Sequence, residues 1–202
     1  VGYEVKICGL TNIADATRAI EFGADYLGFV LYSGSSRCVT SDELRNISDA
    51  LPPDCRKVGV FVNEDRETVL SVADRCRLYA VQLHGDELPE NFTDMPVPVW
   101  RSLRVSGDSV EPNPDAWPAE RYVVDSVVAG VYGGSGVTAD WKTASSIARR
   151  FPVMLAGGLT PDNVAEAVRV VRPLGVDVVG GVEGSPGKKD FIKMKKFITN
   201  AR

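Results

Sequence analysis

Histidine is almost missing from this chain: His84 is the only one among 202 residues. That excludes metal centres built from several imidazoles and leaves any serine–histidine chemistry resting on a single side chain. Cysteine is sparse and scattered. Cys8, Cys38, Cys55 and Cys76 form no C-x-x-C pair, which argues against a disulfide framework or a zinc site and predicts reduced thiols in a cytoplasmic protein. Positive charge is not in excess either. With 23 Lys and Arg against 27 Asp and Glu, the net charge is -4, so no basic stripe is available to displace the counterions of a nucleic acid. Anionic ligands must be held by local devices such as backbone N–H groups and single arginines. No apolar run approaches the roughly 20 residues of a membrane span, and the first residues lack a signal-peptide h-region. At 44% hydrophobic and 25% charged, with no linker-like stretch, the expectation is one globular domain over 1–202 with a sizeable core.

What is present is an alternation. Apolar, β-branched runs take turns with helical patterns, and the count reaches eight. The first run ends in Val5-Lys6-Ile7-Cys8-Gly9, where glycine allows a tight turn. Thr11 is placed to cap a helix with Ile13, Ala16 and Ile20 on one face and Gly23 as its stop. Further strands are expected over 26–31, 58–62, 79–83, 97–103, 122–125, 153–156 and 176–179. Their consecutive apolar positions indicate burial on both faces, as in a parallel sheet. Thr40 and Glu43 have capping-box spacing ahead of Leu44, Ile47 and Leu51, and Val69, Val72 and Ala73 mark the next helix. A short helix is expected over 87–92 and a longer one over 141–150. Thr160 and Pro161 open a helix lined by Val164, Val168 and Val171, and Asp190 opens the last, with Met194, Phe197 and Ile198. Residues 106–120 carry Pro112, Pro114 and Pro118 and no helical period, so the fifth helix is expected to be short or irregular.

Eight units at roughly 25 residues each sit near the lower size limit of an α/β fold of the (β/α)8 TIM-barrel type. The alternative is an open doubly wound sheet, which usually carries a G-x-G-x-x-G after its first strand, and none is there.

In a barrel the carboxyl ends of the strands share one face. In order they present Cys8, Arg37, Asn63, His84, Arg101 or Arg104, Asp125, Gly157-Gly158 and Gly180-Gly181. Cys8 and Asp125, from strands one and six, face each other across the mouth and suit a mechanism in which one group gives a proton as the other removes one. Elsewhere a strand cysteine is a small hydrophobe, and a strand-end aspartate caps a helix or joins an ion pair; it is the convergence that points to catalysis. Glycine pairs after strands seven and eight match the barrel phosphate site, where backbone N–H groups cradle a dianion. Arg37, in Ser33-Gly34-Ser35-Ser36-Arg37-Cys38, carries a fork suited to a carboxylate. His84 is a candidate for ligand contact or for a backbone-bonded rim position.

The segments Val5-Lys6-Ile7-Cys8-Gly9, Val58-Gly59-Val60-Phe61-Val62-Asn63, Val81-Gln82-Leu83-His84-Gly85-Asp86, Gly133-Gly134-Ser135-Gly136 with Asp140-Trp141, Ala156-Gly157-Gly158-Leu159, and Gly181-Val182-Glu183 with Ser185-Pro186-Gly187-Lys188-Lys189-Asp190 follow one another in a specific order. Together they resemble the phosphoribosylanthranilate isomerase family of tryptophan biosynthesis over nearly the whole chain. The resemblance implies an Amadori rearrangement of N-(5-phosphoribosyl)anthranilate into the 1-deoxyribulose 5-phosphate ketone. It makes Asp125 the general acid and Cys8, as thiolate, the general base, suited to neutral pH if nearby positive charge or helix N-termini depress its pKa. It assigns Arg37 to the anthranilate carboxylate, and Gly157, Gly158, Gly180 and Gly181 to the phosphate. It requires no metal or organic cofactor. The chain departs from the family pattern after strand eight: Val179 and Gly180 stand where two serines are usual, Gly184 replaces another small residue, and Ser36 precedes Arg37 where proline or lysine is common.

Two other functions compete. Another phosphosugar aldose–ketose isomerase barrel, of the histidine-biosynthesis kind, would carry acidic residues at strands one and five, whereas this chain has Cys8 and the pair Arg101 and Arg104. A non-catalytic phosphate-ligand-binding barrel would need neither Cys8 nor Asp125. Monomer and homodimer are both open, and the loops expected to close the site are the glycine-rich stretch 130–136 and the segment 33–37.

Overall fold

The computed structural model describes residues 2–106, 109–126 and 141–202. Among them eight parallel strands close on themselves: β1 (Glu4–Ile7), β2 (Tyr26–Val30), β3 (Lys57–Phe61), β4 (Ala80–Leu83), β5 (Val99–Ser106), β6 (Arg121–Ser126), β7 (Val153–Leu155) and β8 (Gly175–Val178). Each pairs with its neighbours in sequence. β8 returns to β1 through Val5↔Val176 and Lys6↔Asp177, and β4 joins β5 at Val81↔Val99, completing the barrel. The expected α/β TIM barrel is the fold found, with strand limits within one to three residues of those read from the sequence.

Strand alternation divides the core in two. Val5, Ile7, Leu27, Phe29, Val81, Leu83, Val124, Leu155, Val176 and Val178 point outward and merge with the helices. Tyr26, Val58, Ala80, Trp100, Val123 and Met154 fill the barrel axis. The helices are α1 (Ile13–Phe22), α2 (Ser41–Ala50), α3 (Arg66–Arg75), α4 (Trp141–Ala148), α5 (Val164–Val171) and α6 (Phe191–Asn200). The Thr40–Glu43 capping box, the Gly23 stop at φ 95° and the Asp190 cap form as their residue types require.

One cap differs from expectation. Asn12, not Thr11, caps α1 by accepting from the Asp15 N–H, because the Thr11 hydroxyl is spent on the Gly187 carbonyl at 2.7 Å. At α5, Asn163 directly precedes the helix and Pro161 lies in the turn before it, but Thr160 caps that turn as expected: its Oγ1 accepts from the Asp162 N–H at 3.3 Å, its carbonyl from the Val164 N–H at 3.1 Å, and its own N–H donates to Asn163 Oδ1 at 2.8 Å. Of the face expected for α1, Ala16 is buried, joined by Ala19, while Ile13 is 45% exposed.

The fourth and fifth crossovers carry as little helix as the sequence led one to expect. After β4 there is only a 3-10 turn, Pro89–Phe92. After β5 a short strand, Ser109–Glu111, folds back antiparallel on it, and the described residues up to 120 make turns but no helix. The prolines account for this, each lacking an N–H for a helical bond. In place of helices this sector is fastened by side chains. Arg101 donates to the carbonyls of Leu83 (2.7 Å) and Gly85 (2.8 Å) and pairs with Glu87 at 2.8 Å. Glu87 in turn accepts from the N–H groups of Asn63 and Gly85. Trp117 Nε1 donates to the Glu87 carbonyl, and the Tyr122 hydroxyl donates to that of Trp117. The glycine-rich stretch 130–136 and Asp140 lie outside the described residues. Among those described, no helix is long and apolar enough to cross a membrane.

Candidate active site

At the carboxyl ends of the strands lies a cavity of about 300 Å³. Cys8, Arg37, His84, Asp125, Gly157, Gly158, Gly180 and Gly181 all line it. They come from six different strand ends or the loops that follow, so only barrel closure assembles them. Three other strand-end candidates are not in its lining. Arg101 is 1% exposed and consumed by Glu87 and two carbonyls. Arg104 pairs with Asp86, and Asn63 bonds the Asp86 N–H through Oδ1 at 2.6 Å.

Cys8 follows β1 and is 4% exposed. Its room is made by Gly28 on β2, where an added Cβ would lie 2.5 Å from the Cys8 sulfur. Burial pushes the thiol above its ordinary pKa and Asp177 adds to this; Lys6 and Lys189 oppose without overcoming it. The positive charge that would suit Cys8 to neutral pH is present, but desolvation outweighs it.

Beneath the cavity the barrel axis turns polar. Lys6 Nζ donates to Asp177 Oδ2 (2.8 Å) and Gln82 Oε1 (2.9 Å). An ammonium only donates, so it turns the Gln82 oxygen toward itself and the NH2 group toward β5. That NH2 donates to Ser102 Oγ (3.0 Å) and His84 Nδ1 (3.1 Å). Nδ1 is thus an acceptor, Nε2 carries the ring proton, and Nε2 lies 3.8 Å from Asp125 Oδ2. Burial, reinforced by Lys6, Arg101 and Arg104, lowers the His84 pKa to about 3, so the ring is neutral.

Arg37 is gripped from one side. Its Nε and Nη2 donate to Glu183 Oε1 (2.9 Å) and Oε2 (2.8 Å), which leaves the two N–H groups of Nη1 and the second one of Nη2 as its other donors. Burial raises the Glu183 carboxyl, but Arg37 and Lys189 outweigh burial and hold it below its ordinary pKa. The glycine loops pack backbone to backbone: a Cβ on Gly181 would fall 1.9 Å from the Leu159 carbonyl oxygen. Gly157 and Gly158 take φ values of 81° and 63°, which side chains resist.

Lys6, Gln82, Asp177, Glu183 and Lys189 escaped the reading of the sequence as functional residues. A signal existed for two of them: Lys6 and Gln82 each stand two residues before a strand-end candidate, Cys8 and His84, on the same face of an otherwise apolar strand.

The sequence matches the family model described as N-(5'phosphoribosyl)anthranilate (PRA) isomerase over residues 5–200. The chain belongs to the phosphoribosylanthranilate isomerase family. It is an isomerase of tryptophan biosynthesis. Phosphoribosylanthranilate isomerases similar to it include that of Trichlorobacter lovleyi, 45% identical over 98% of both chains, and that of Geobacter sulfurreducens, 44% identical over the same shares. Among solved structures of the family, the dimeric Thermotoga maritima protein is 40% identical with a TM-score of 0.86 over 98% of both chains. The Thermus thermophilus protein is 36% identical with a TM-score of 0.88 over 98% of this chain and 97% of that one. One phosphoribosylanthranilate isomerase structure, 40% identical at a TM-score of 0.84 and covering 98% of both chains, holds reduced 1-(o-carboxyphenylamino)-1-deoxyribulose 5-phosphate.

Proposed function

We propose that Asp125 and Cys8 divide the proton transfers of the isomerisation between them. Asp125 gives a proton to the furanose ring oxygen as the C1–O bond breaks, and the nitrogen lone pair closes a C1=N Schiff base. The Cys8 thiolate then takes the C2 proton. The C2–H electron pair moves into a C1=C2 bond and the imine pair returns to nitrogen, leaving a thiol and an enolamine. The enolamine tautomerises to the ketone, with a proton lost from the C2 hydroxyl and one gained at C1. The substrate nitrogen is the electron relay, so the reaction calls for no cofactor.

The observation that carries this reading is the meeting of Cys8 and Asp125 in one cavity with two glycine loops and one arginine. Such a set offers a base, an acid, a phosphate cradle and a carboxylate partner. Arg37, braced by Glu183, presents Nη1 to the anthranilate carboxylate. Neutral His84 faces Asp125 with its Nε2–H. Asp177 Oδ1 is buried without a hydrogen-bond partner in the cavity wall, a position suited to a sugar hydroxyl. The working unit is one catalytic domain over 1–202, cytoplasmic, where its free thiols stay reduced, as a monomer or as a homodimer like the Thermotoga maritima relative.

Loss of substrate fluorescence with phosphoribosylanthranilate provides the test. Cys8→Ser and Asp125→Asn are each expected to lower kcat by about 10²–10⁴ while binding of the reduced product analogue persists. Near-wild-type turnover in either variant would remove that residue from its role.

A further inference from the structure

Lys6 is a charged side chain at 0% exposure on the barrel axis, a placement that costs free energy unless every donor is used. Two donors go to Asp177 and Gln82. The Cys8 thiol stands two residues along the same strand on the same inward face, buried like Lys6 and 4% exposed at the cavity above it, and each group acts on the other's titration. Other charges face the thiol from the surrounding elements. Asp177 on β8 is a competitor for Lys6, Lys189 approaches from the segment before α6, and Arg37 approaches from the β2–α2 loop. Lys189 and Arg37 are both tied to Glu183, at 3.2 and 2.8 Å. His84 and Asp125 stand farther along the cavity wall.

We propose that Lys6 is a positioning residue whose ammonium, held by Gln82 and shared between Asp177 and Cys8, is the counter-ion of the Cys8 thiolate. The inference rests on Cys8 being the base but concerns only how the thiolate is held. Lys6 is charged in this setting, since Asp177 and the thiol more than offset the effect of burial on its pKa. When the thiol ionises, no proton or charge need enter the barrel; Nζ leans from one anion toward the other. Asp177 restrains this, because its carboxylate both competes for Nζ and repels the thiolate.

The two partners should therefore move Cys8 in opposite directions. The measurement is the pH dependence of Cys8 alkylation by iodoacetamide, followed on the Cys8 peptide by mass spectrometry so that Cys38, Cys55 and Cys76 do not interfere. Lys6→Met is expected to shift the profile about 1–3 pH units upward and to lower kcat at pH 7.5 about tenfold or more, with KM changed less than about threefold. Asp177→Asn, close to isosteric, is expected to shift the same profile downward, and it keeps the proposal open to refutation if Lys6→Met does not fold. A profile unmoved in folded Lys6→Met, or one that stays put or rises in Asp177→Asn, overturns the proposal. Alkylation reads the thiol directly, so active Cys8→Ser would refute the acid–base assignment without altering this result.

Discussion

Two adjacent glycines after β8 have opposite tolerance for a side chain. At Gly180 an added Cβ would find its nearest neighbours, Arg37 Nη2 and Glu183 Oε2, at 3.8 and 4.0 Å, ordinary contact distances. At Gly181 the same carbon would strike the Leu159 carbonyl at 1.9 Å and Thr160 Cα at 3.2 Å. The departure from the family's serine at position 180 is therefore not forced by space. Gly180→Ser is expected to add a hydroxyl beside the glycine loops and to lower KM about three- to tenfold, the worth of one hydrogen bond to a charged group. Gly181→Ala must part the β7 and β8 loops and is expected to raise KM about tenfold or more, with kcat reduced less. Steady-state kinetics on the two variants checks both, and equal effects would show that these loops do not hold the phosphate.

At the scale of elements, the sector between β4 and β6 is built from a 3-10 turn, a hairpin strand and turns, and it lacks the helical cover of the rest of the barrel. Its fastening is the Arg101–Glu87 pair, with both side chains 2% exposed. Glu87 collects N–H groups from the ends of β3 and β4, and Arg101 stacks on Trp117 at 5.3 Å. Removing one partner strands a buried charge, so Glu87→Gln and Arg101→Met should each cost about 3–5 kcal/mol in urea unfolding. The double replacement Glu87→Met with Arg101→Met should recover more than half of that loss, because no lone charge remains. Neither residue lines the cavity, and kcat below the melting transition should change less than about threefold. Additive losses in the double variant would contradict this account.

For the molecule as a whole, the buried polar axis sets the response to acid. His84 has a native pKa of about 3, whereas the unfolded side chain returns to 6.5. Between these values the unfolded state binds more protons, so stability rises with pH through that window and is lost as pH falls below about 6.5, by up to about 1.4 kcal/mol per unit. Glu183, held below its ordinary pKa, adds a loss of the same sign below the usual glutamate range. Urea midpoints at pH 7, 6 and 5 should therefore decline in the wild type and flatten in His84→Gln between pH 6.5 and 5. An unchanged slope in that variant would mean that His84 is not kept neutral by the fold.

Features that depend on local spacing were legible in the residue types alone. Eight alternating runs, the Thr40–Glu43 and Asp190 caps, and the strand-end positions of Cys8, Asp125 and the glycine pairs all follow from residue types within a few positions of one another. Closure into a barrel then carries strand ends to one cavity. Local spacing failed where a distant group intervened: Thr11 lost its cap to Gly187, and Arg101 left the mouth for Glu87. The charge state of the site was decided by tertiary structure alone. Lys6, Gln82 and Asp177 come from β1, β4 and β8, and only the register of the closed sheet sets them within hydrogen-bonding distance. Only burial on the barrel axis raises the Cys8 thiol and keeps His84 neutral. A pKa is set by the dielectric and charges around a group, and these belong to the whole molecule.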